Sequence, residues 1–210
     1  MPDSVDPPAL AAWLREFARL VHEQRDHLTE LDSAIGDADH GANMDRGMTA
    51  VLAMLDDDPP AEAGALLKKA GMTLISKVGG ASGPLYGTLF LRMAGGAGEL
   101  DPAGFAKALR AGLDGVIARG KASPGDKTMV DALSPAVDAL EAGLSAGQPF
   151  GAALSAAATA AAAGRDGVTP LVARKGRASY LGERSAGHQD PGATSTTLLI
   201  DAAATALGGG

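Results

Sequence analysis

The sequence predicts an all-α protein, an antiparallel barrel or bundle of eight helices, and three observations predict it. Apolar residues recur at three- and four-residue steps in segment after segment, the period of a helix with one buried stripe. No run of alternating β-branched residues is long enough to build a sheet. The composition, 29 glycines with only 3% aromatics, describes small side chains that let helices approach closely and loops turn tightly. A chain of 210 residues supports one full core more readily than two, so residues 1–210 read as a single domain.

The elements follow in order. Asp6-Pro7 is a helix start, and Leu10, Trp13, Leu14, Phe17, Leu20 and Val21 give the first stripe, on a helix that also carries His22 and His27. A polar, glycine-punctuated loop from about Asp32 to Gly41 separates it from a second helix marked by Met44, Met48, Val51, Leu52 and Leu55, which Asp56 to Pro60 ends. A third stretch spans about Ala61 to Lys77, and a fourth begins near Pro84 after the loop Gly79-Gly80-Ala81-Ser82-Gly83. Asp101-Pro102 repeats the start signal for a fifth, with Phe105, Leu109, Leu113, Val116 and Ile117 as its stripe and Gly120 as its closure. Met129, Leu133, Val137 and Leu140 mark a sixth, with Pro135 near its start. The alanine-rich stretch from Pro149 reads as a tightly packed seventh helix rather than a low-complexity linker, because alanine has the highest helix propensity. Ala193 to Leu207 is the eighth, with a frayed end at Gly208 to Gly210. The remainder, Gly164 to Gly192, is long for a loop in a compact domain, which favours a functional role.

Charge and composition exclude several classes. A net charge of −7 argues against a general nucleic-acid surface, which needs clustered Lys and Arg on one face. The absence of cysteine removes disulfides, thiolate metal sites and cysteine nucleophiles, and suits a reducing cytoplasm. The first thirty residues hold Asp3, Asp6, Arg15, Glu16 and Arg19 without the apolar run of a secretory signal. The stretch Gly151 to Gly164 is too short and too weakly apolar to span a bilayer, so the expectation is a soluble cytoplasmic protein with no membrane partner.

Three constellations carry chemistry. In Asp32-Ser33-Ala34-Ile35-Gly36-Asp37-Ala38-Asp39-His40-Gly41, three carboxylates fall within eight residues. Residues two apart do not share a helix face, so Asp37 and Asp39 need a turn to converge, which Gly36 and Gly41 make easy. Converging carboxylates repel unless a cation sits among them, and hard oxygen donors select Mg²⁺, Mn²⁺ or Ca²⁺. The spacing fails the EF-hand pattern, since the twelfth position counted from Asp37 is Met48 and from Asp32 is Asn43, so Mg²⁺ completed by water and phosphate fits better. The spacing alone also admits a plainer reading, with Asp37 or Asp39 capping the second helix. Gly79 to Pro84 is a small-residue loop opening a helix, whose N–H groups could hold phosphate oxygens or form only a tight turn; it is not a Walker A loop, because no Gly-Lys-Ser/Thr follows. The third, Arg174 to Ser185 with His188 and Asp190, could neutralise phosphate charge with guanidinium groups, or could be a solvated face in which Glu183 pairs with a neighbouring cation. His40 could donate to phosphate, act as a base, or anchor its loop.

Four ordered motifs together resemble one family. They are Leu31-Asp32 with Ile35 to Met44, Gly79 to Thr88, Arg119-Gly120-Lys121 with Gly125 to Met129, and Arg174 to Tyr180 with Asp190 to Ser195. The resemblance is to the ADP-binding L subunits of dihydroxyacetone kinases, and it runs from about Trp13 to about Ser195. It implies a barrel of eight helices with the nucleotide at one end. It also implies that Asp32, Asp37 and Asp39 bind two Mg²⁺ ions bridging the phosphates of ADP or ATP. Contacts to the nucleotide would come from His40, Gly41, Ala42, Asn43, Ala81, Ser82, Gly120, Met129, Arg177, Asp190, Pro191 and Gly192, with Asp37, His40 and Arg177 in catalytic roles.

The family divides into kinases fused to a substrate domain and three-subunit systems fed by phosphoenolpyruvate. With no fused substrate domain in the sequence, the second type is expected: resident ADP is phosphorylated by a phosphohistidine on an M subunit, and the γ-phosphoryl passes to dihydroxyacetone on a K subunit, giving dihydroxyacetone phosphate. Two alternatives stay open, an ATP-exchanging kinase subunit for another small ketose or polyol, and an ADP-loaded regulatory module that docks a transcription factor. Oligomeric state is left open, a homodimer included.

Overall fold

The computed structural model describes residues 4–57, 59–96 and 100–209. They contain nine α-helices, one 3₁₀ stretch and no strand. In chain order these are α1 (Pro7–Glu23), α2 (Arg25–Ile35), α3 (His40–Asp57), α4 (Ala63–Lys77), α5 (Ser82–Gly95), α6 (Pro102–Gly120), α7 (Met129–Ser145), α8 (Phe150–Gly167), the 3₁₀ stretch Arg177–Ser185, and α9 (Pro191–Gly208). None of the described helices is long and apolar enough to cross a membrane.

Local chemistry sets the helix starts. Asp6 accepts the Ala9 N–H (2.9 Å) ahead of α1, Asp101 that of Gly104 (2.6 Å) ahead of α6, and Asp190 that of Ala193 (2.7 Å) ahead of α9, each followed by proline. Thr128 and Asp131 form a capping box at α7.

The eight helices expected from the sequence close into a ring: α1 packs on α3, and each of α3 to α8 packs on the next, until α9 returns to α1. Inside it, Trp13 stacks edge-on to Phe105 (ring centroids 5.4 Å apart) and donates its indole N–H to the Leu199 carbonyl (3.0 Å). Alanines 153, 157 and 161 of α8 are fully buried, so the alanine-rich segment is a packed helix.

The structure departs from the sequence reading at several places. The first helix breaks at Gln24, so His27 lies on a separate helix, α2, lying against α3 and the 3₁₀ stretch. That helix buries only Leu28, Asp32 and Ile35, a stripe too sparse to stand out in the sequence. Asp32 is therefore helical, and the acidic loop shrinks to residues 36–39. At the end of α6 the left-handed residue is Lys121 (φ 49°), with Gly120 still helical. The last helix starts at Pro191 and runs through Gly208; the expected fraying at Gly210, like the Asp58 part of the break after α3, lies outside the described residues.

Candidate functional site

At one end of the ring is a cavity of about 390 Å³. Its wall includes the first residues of four helices: Asp39 and His40 at α3, Ser82 at α5, Met129 and Val130 at α7, and Pro191 and Gly192 at α9. The first turn of a helix carries the positive end of the helix dipole, so four starts around one cavity favour an anionic ligand, most of all at α5, whose first N–H groups no side chain caps. Leu85, Val116, Met129 and Val130 supply apolar wall.

Asp32, Asp37 and Asp39 each offer an oxygen such that all three lie within 4.8 Å of one another. Two backbone features bring them together. Gly36 is one: a Cβ there would sit 2.0 Å from Asp32 Oδ1, so no other residue leaves that carboxylate in place. Ala38 is the other: at φ 61° it makes the turn that aims Asp37 and Asp39 the same way. Gly41, expected to ease this turn, instead packs inside α3 against α2, where a Cβ would meet the Arg25 carbonyl at 2.0 Å.

The helix-capping alternative is present too, on a different residue. Asp32 Oδ2 accepts the N–H groups of Asp39 (2.8 Å) and His40 (3.1 Å), so one carboxylate both opens α3 and joins the cluster. The donor set is three carboxylates around a small space, with Arg177 Nη2 2.9 Å from Asp37 Oδ2. Hard, acceptor-only oxygens in that arrangement fit Mg²⁺.

His40 is buried with both ring nitrogens engaged, Nδ1 with Ser82 Oγ (3.0 Å) and Nε2 with Ser195 Oγ (2.9 Å). Ser195 Oγ also meets the hydroxyl of Tyr86 (2.7 Å), which reaches Thr196 Oγ1 (3.1 Å). Burial holds the imidazole below its ordinary value, against the opposing charges of Asp32 and Asp39, and pushes the Tyr86 phenol up to about 12. This neutral chain ties α3, α5 and α9 together behind the cavity wall. Asp190, capping α9, is pushed up to about 7 by burial, with the Ala193 N–H working the other way.

Of the residues expected to contact nucleotide, the cavity wall contains His40, Ala81, Ser82, Gly120, Met129, Arg177, Asp190, Pro191 and Gly192. It does not contain Gly41, Ala42 or Asn43. Ala42 is exposed, Gly41 faces α2, and Asn43 turns its amide toward Arg46 Nη2 (2.6 Å) beneath Gly79. These three follow His40 directly in the first turn of α3, on sides of that turn that face α2, solvent and Arg46. Residues given no role in the sequence reading also reach the wall, Lys127, Thr128 and Arg119 among them. They lie in or beside the same motifs, but spacing carries no signal of which of their side chains turn inward. Tyr180, on the stretch that bears Arg177, is 88% exposed.

By architecture this is a helical-barrel protein with a cavity at one end, part apolar wall and part carboxylates and helix starts. Residues 34–205 match the DAK2 domain, and the chain belongs to that family. It is 44% identical over 206 residues to the ADP-binding subunit DhaL of the PEP-dependent dihydroxyacetone kinase of Escherichia coli (strain K12), covering 97% of this chain and 98% of that protein. It is 45% identical over 192 residues to the corresponding subunit of dihydroxyacetone kinase 1 of Listeria innocua, covering 90% and 91%. Among solved structures, the dihydroxyacetone kinase from C. freundii in complex with AMP-PNP and Mg²⁺ superposes with a TM-score of 0.72 at 28% identity, over 94% of this chain and 34% of that one. The resemblance read from the motifs and the eight-helix barrel are both borne out.

Proposed function

We propose that this chain is the ADP-binding subunit of a dihydroxyacetone kinase. The observation that carries the reading is the carboxylate trio set against four helix starts across one cavity, in a chain that aligns nearly end to end with ADP-binding subunits. Asp32, Asp37 and Asp39 would hold Mg²⁺, as two ions. When bound, the metal would neutralise charge on the phosphate oxygens.

The other groups position the ligand. The start of α5 at Ser82, which no side chain caps, presents N–H groups to phosphate, and Arg177 brings a guanidinium fork to the side of the acidic loop. Leu85, Val116 and Met129 offer apolar surface to the base. Gly120 and Gly192 leave room beside it. His40 orients Ser82 and Ser195; as both its nitrogens are occupied, its role is positioning rather than proton transfer. The phosphoryl group would arrive from a phosphohistidine on an M-type partner, convert ADP to ATP, and leave for a hydroxyl of dihydroxyacetone on a K-type partner. A partner closing the cavity mouth would cover the exposed ring of Tyr180. A cytoplasmic setting goes with this assignment.

The test is reconstitution. Protein purified without added nucleotide should carry ADP, and with K- and M-type subunits and phosphoenolpyruvate it should form dihydroxyacetone phosphate. Bound ADP that exchanges rapidly with labelled ATP, with turnover supported by ATP alone, would instead mark an ATP-dependent kinase. Absence of bound nucleotide and of turnover would refute both.

A further inference from the structure

The wall that carries Arg177 is not made by the barrel helices. It belongs to the segment between α8 and α9, which has only a 3₁₀ stretch, interrupted at Gly182 (φ 55°), as regular structure. Two features fix this segment. Ile35, Ala173 and Ala178 form an apolar cluster apart from the main core, seating it on α2.

The second is Lys127, just before α7. Its Nζ donates to the carbonyl oxygens of Thr169 (2.9 Å), Leu171 (3.0 Å) and Ser185 (2.6 Å). An ammonium has three N–H donors, so all of them are used and none remains for a phosphate. Thr169 and Leu171 lie where the segment leaves α8, and Ser185 lies where the 3₁₀ stretch ends, so one side chain gathers both ends. The Gly187 N–H adds a bond to the Thr169 carbonyl (2.9 Å), and Ser185 Oγ accepts the Ala173 N–H (2.9 Å).

Lys127 is 1% exposed and its backbone is left-handed (φ 66°). A buried charge and a strained backbone at one residue persist only where the surroundings hold them. The gathering of three carbonyls supplies that hold, and what it closes is the loop bearing Arg177.

We propose that Lys127 is a positioning residue for phosphoryl transfer: by gathering the carbonyls of Thr169, Leu171 and Ser185 it presets Arg177 beside Asp37, and it acts on the reaction through Arg177. This rests on the role given to Arg177 in the proposed function.

The experiment compares K127M, K127R, R177A and K127M/R177A in the reconstituted subunit system, measuring kcat and the affinity for ADP with Mg²⁺. K127M should lower kcat roughly 10- to 100-fold, the scale of a misplaced catalytic group. Its nucleotide affinity should stay within about threefold of wild type, and the double variant should be no slower than R177A within about the same factor. K127R, which keeps the charge and several donors, should recover part of the lost kcat. Effects of K127M and R177A that multiply, or a loss of affinity matching the loss of kcat, would overturn the proposal. An R177A variant with wild-type kcat would instead refute the role of Arg177 itself, a separable outcome. Should K127M fail to fold, ¹⁵N NMR of the wild-type protein decides: a lysine ammonium shielded from solvent exchange is expected, and none shielded would overturn the proposal.

Discussion

Ala38, between two of the clustered carboxylates, holds φ 61°, a left-handed conformation that costs a residue with a Cβ about 1–2 kcal/mol. Ala38→Gly should therefore raise stability by up to about 1 kcal/mol in thermal unfolding, the relief exceeding the entropy that glycine adds to the unfolded chain. Gly36→Ala should do the opposite to the site: its Cβ, 2.0 Å from Asp32 Oδ1, would displace that carboxylate, so Mg²⁺-dependent ADP binding should be lost in calorimetry while the helical circular dichroism stays. Asp190 gives a pH signature. Its carboxyl is pushed up from 3.8 to about 7 by burial, so between those values the folded protein binds more protons than the unfolded one. Stability of the nucleotide-free protein should thus contain a contribution that falls as pH rises through that window; Asp190→Asn, neutral throughout, should lose it, as seen in urea midpoints at about pH 5 and about pH 8. At this scale the sequence made the acidic trio, Ser82 and Arg177 legible, because their residue types and glycine-rich settings are unusual. It could not show Lys127, whose burial depends on carbonyls supplied by a distant segment, nor that both nitrogens of His40 are already engaged by Ser82 and Ser195.

Among the helices, legibility followed the strength of the local signal. Proline after a capping aspartate located α1 and α6 to within a few residues, since the cap and the ring of proline act through adjacent atoms, and the same pair at Asp190-Pro191 opens α9 two residues before the Ala193 start read from the apolar pattern. The helix α2 was merged with α1 because the break at Gln24 carries neither glycine nor proline, and its sparse apolar face is completed by α3 and the 3₁₀ stretch. The alanine-rich α8 is the element whose packing is most directly testable. Ala157 is fully buried, so Ala157→Leu should overpack the interface and destabilise the protein by about 1–3 kcal/mol in denaturant unfolding. A flexible linker would tolerate the change without effect.

For the whole molecule, closing eight helices into a ring lets alternate helices begin at the same end, which is why α3, α5, α7 and α9 all open onto one cavity. The fold itself thus gathers N–H groups and helix dipoles at that end, and the acidic loop before α3 sets carboxylates against them. A cavity so built gains by binding metal and phosphate together, each offsetting the charge that would otherwise repel the other's partners. The measurement that tests this most directly is calorimetric titration of nucleotide-free protein with ADP, with and without Mg²⁺, for the wild type and for Asp37→Asn. Mg²⁺ should strengthen ADP binding by about tenfold or more in the wild type, that is by at least about 1.4 kcal/mol, and by far less in the variant. Equal ADP affinity with and without Mg²⁺ in the wild type would contradict the assignment of Asp32, Asp37 and Asp39 as the metal-holding side of a nucleotide site.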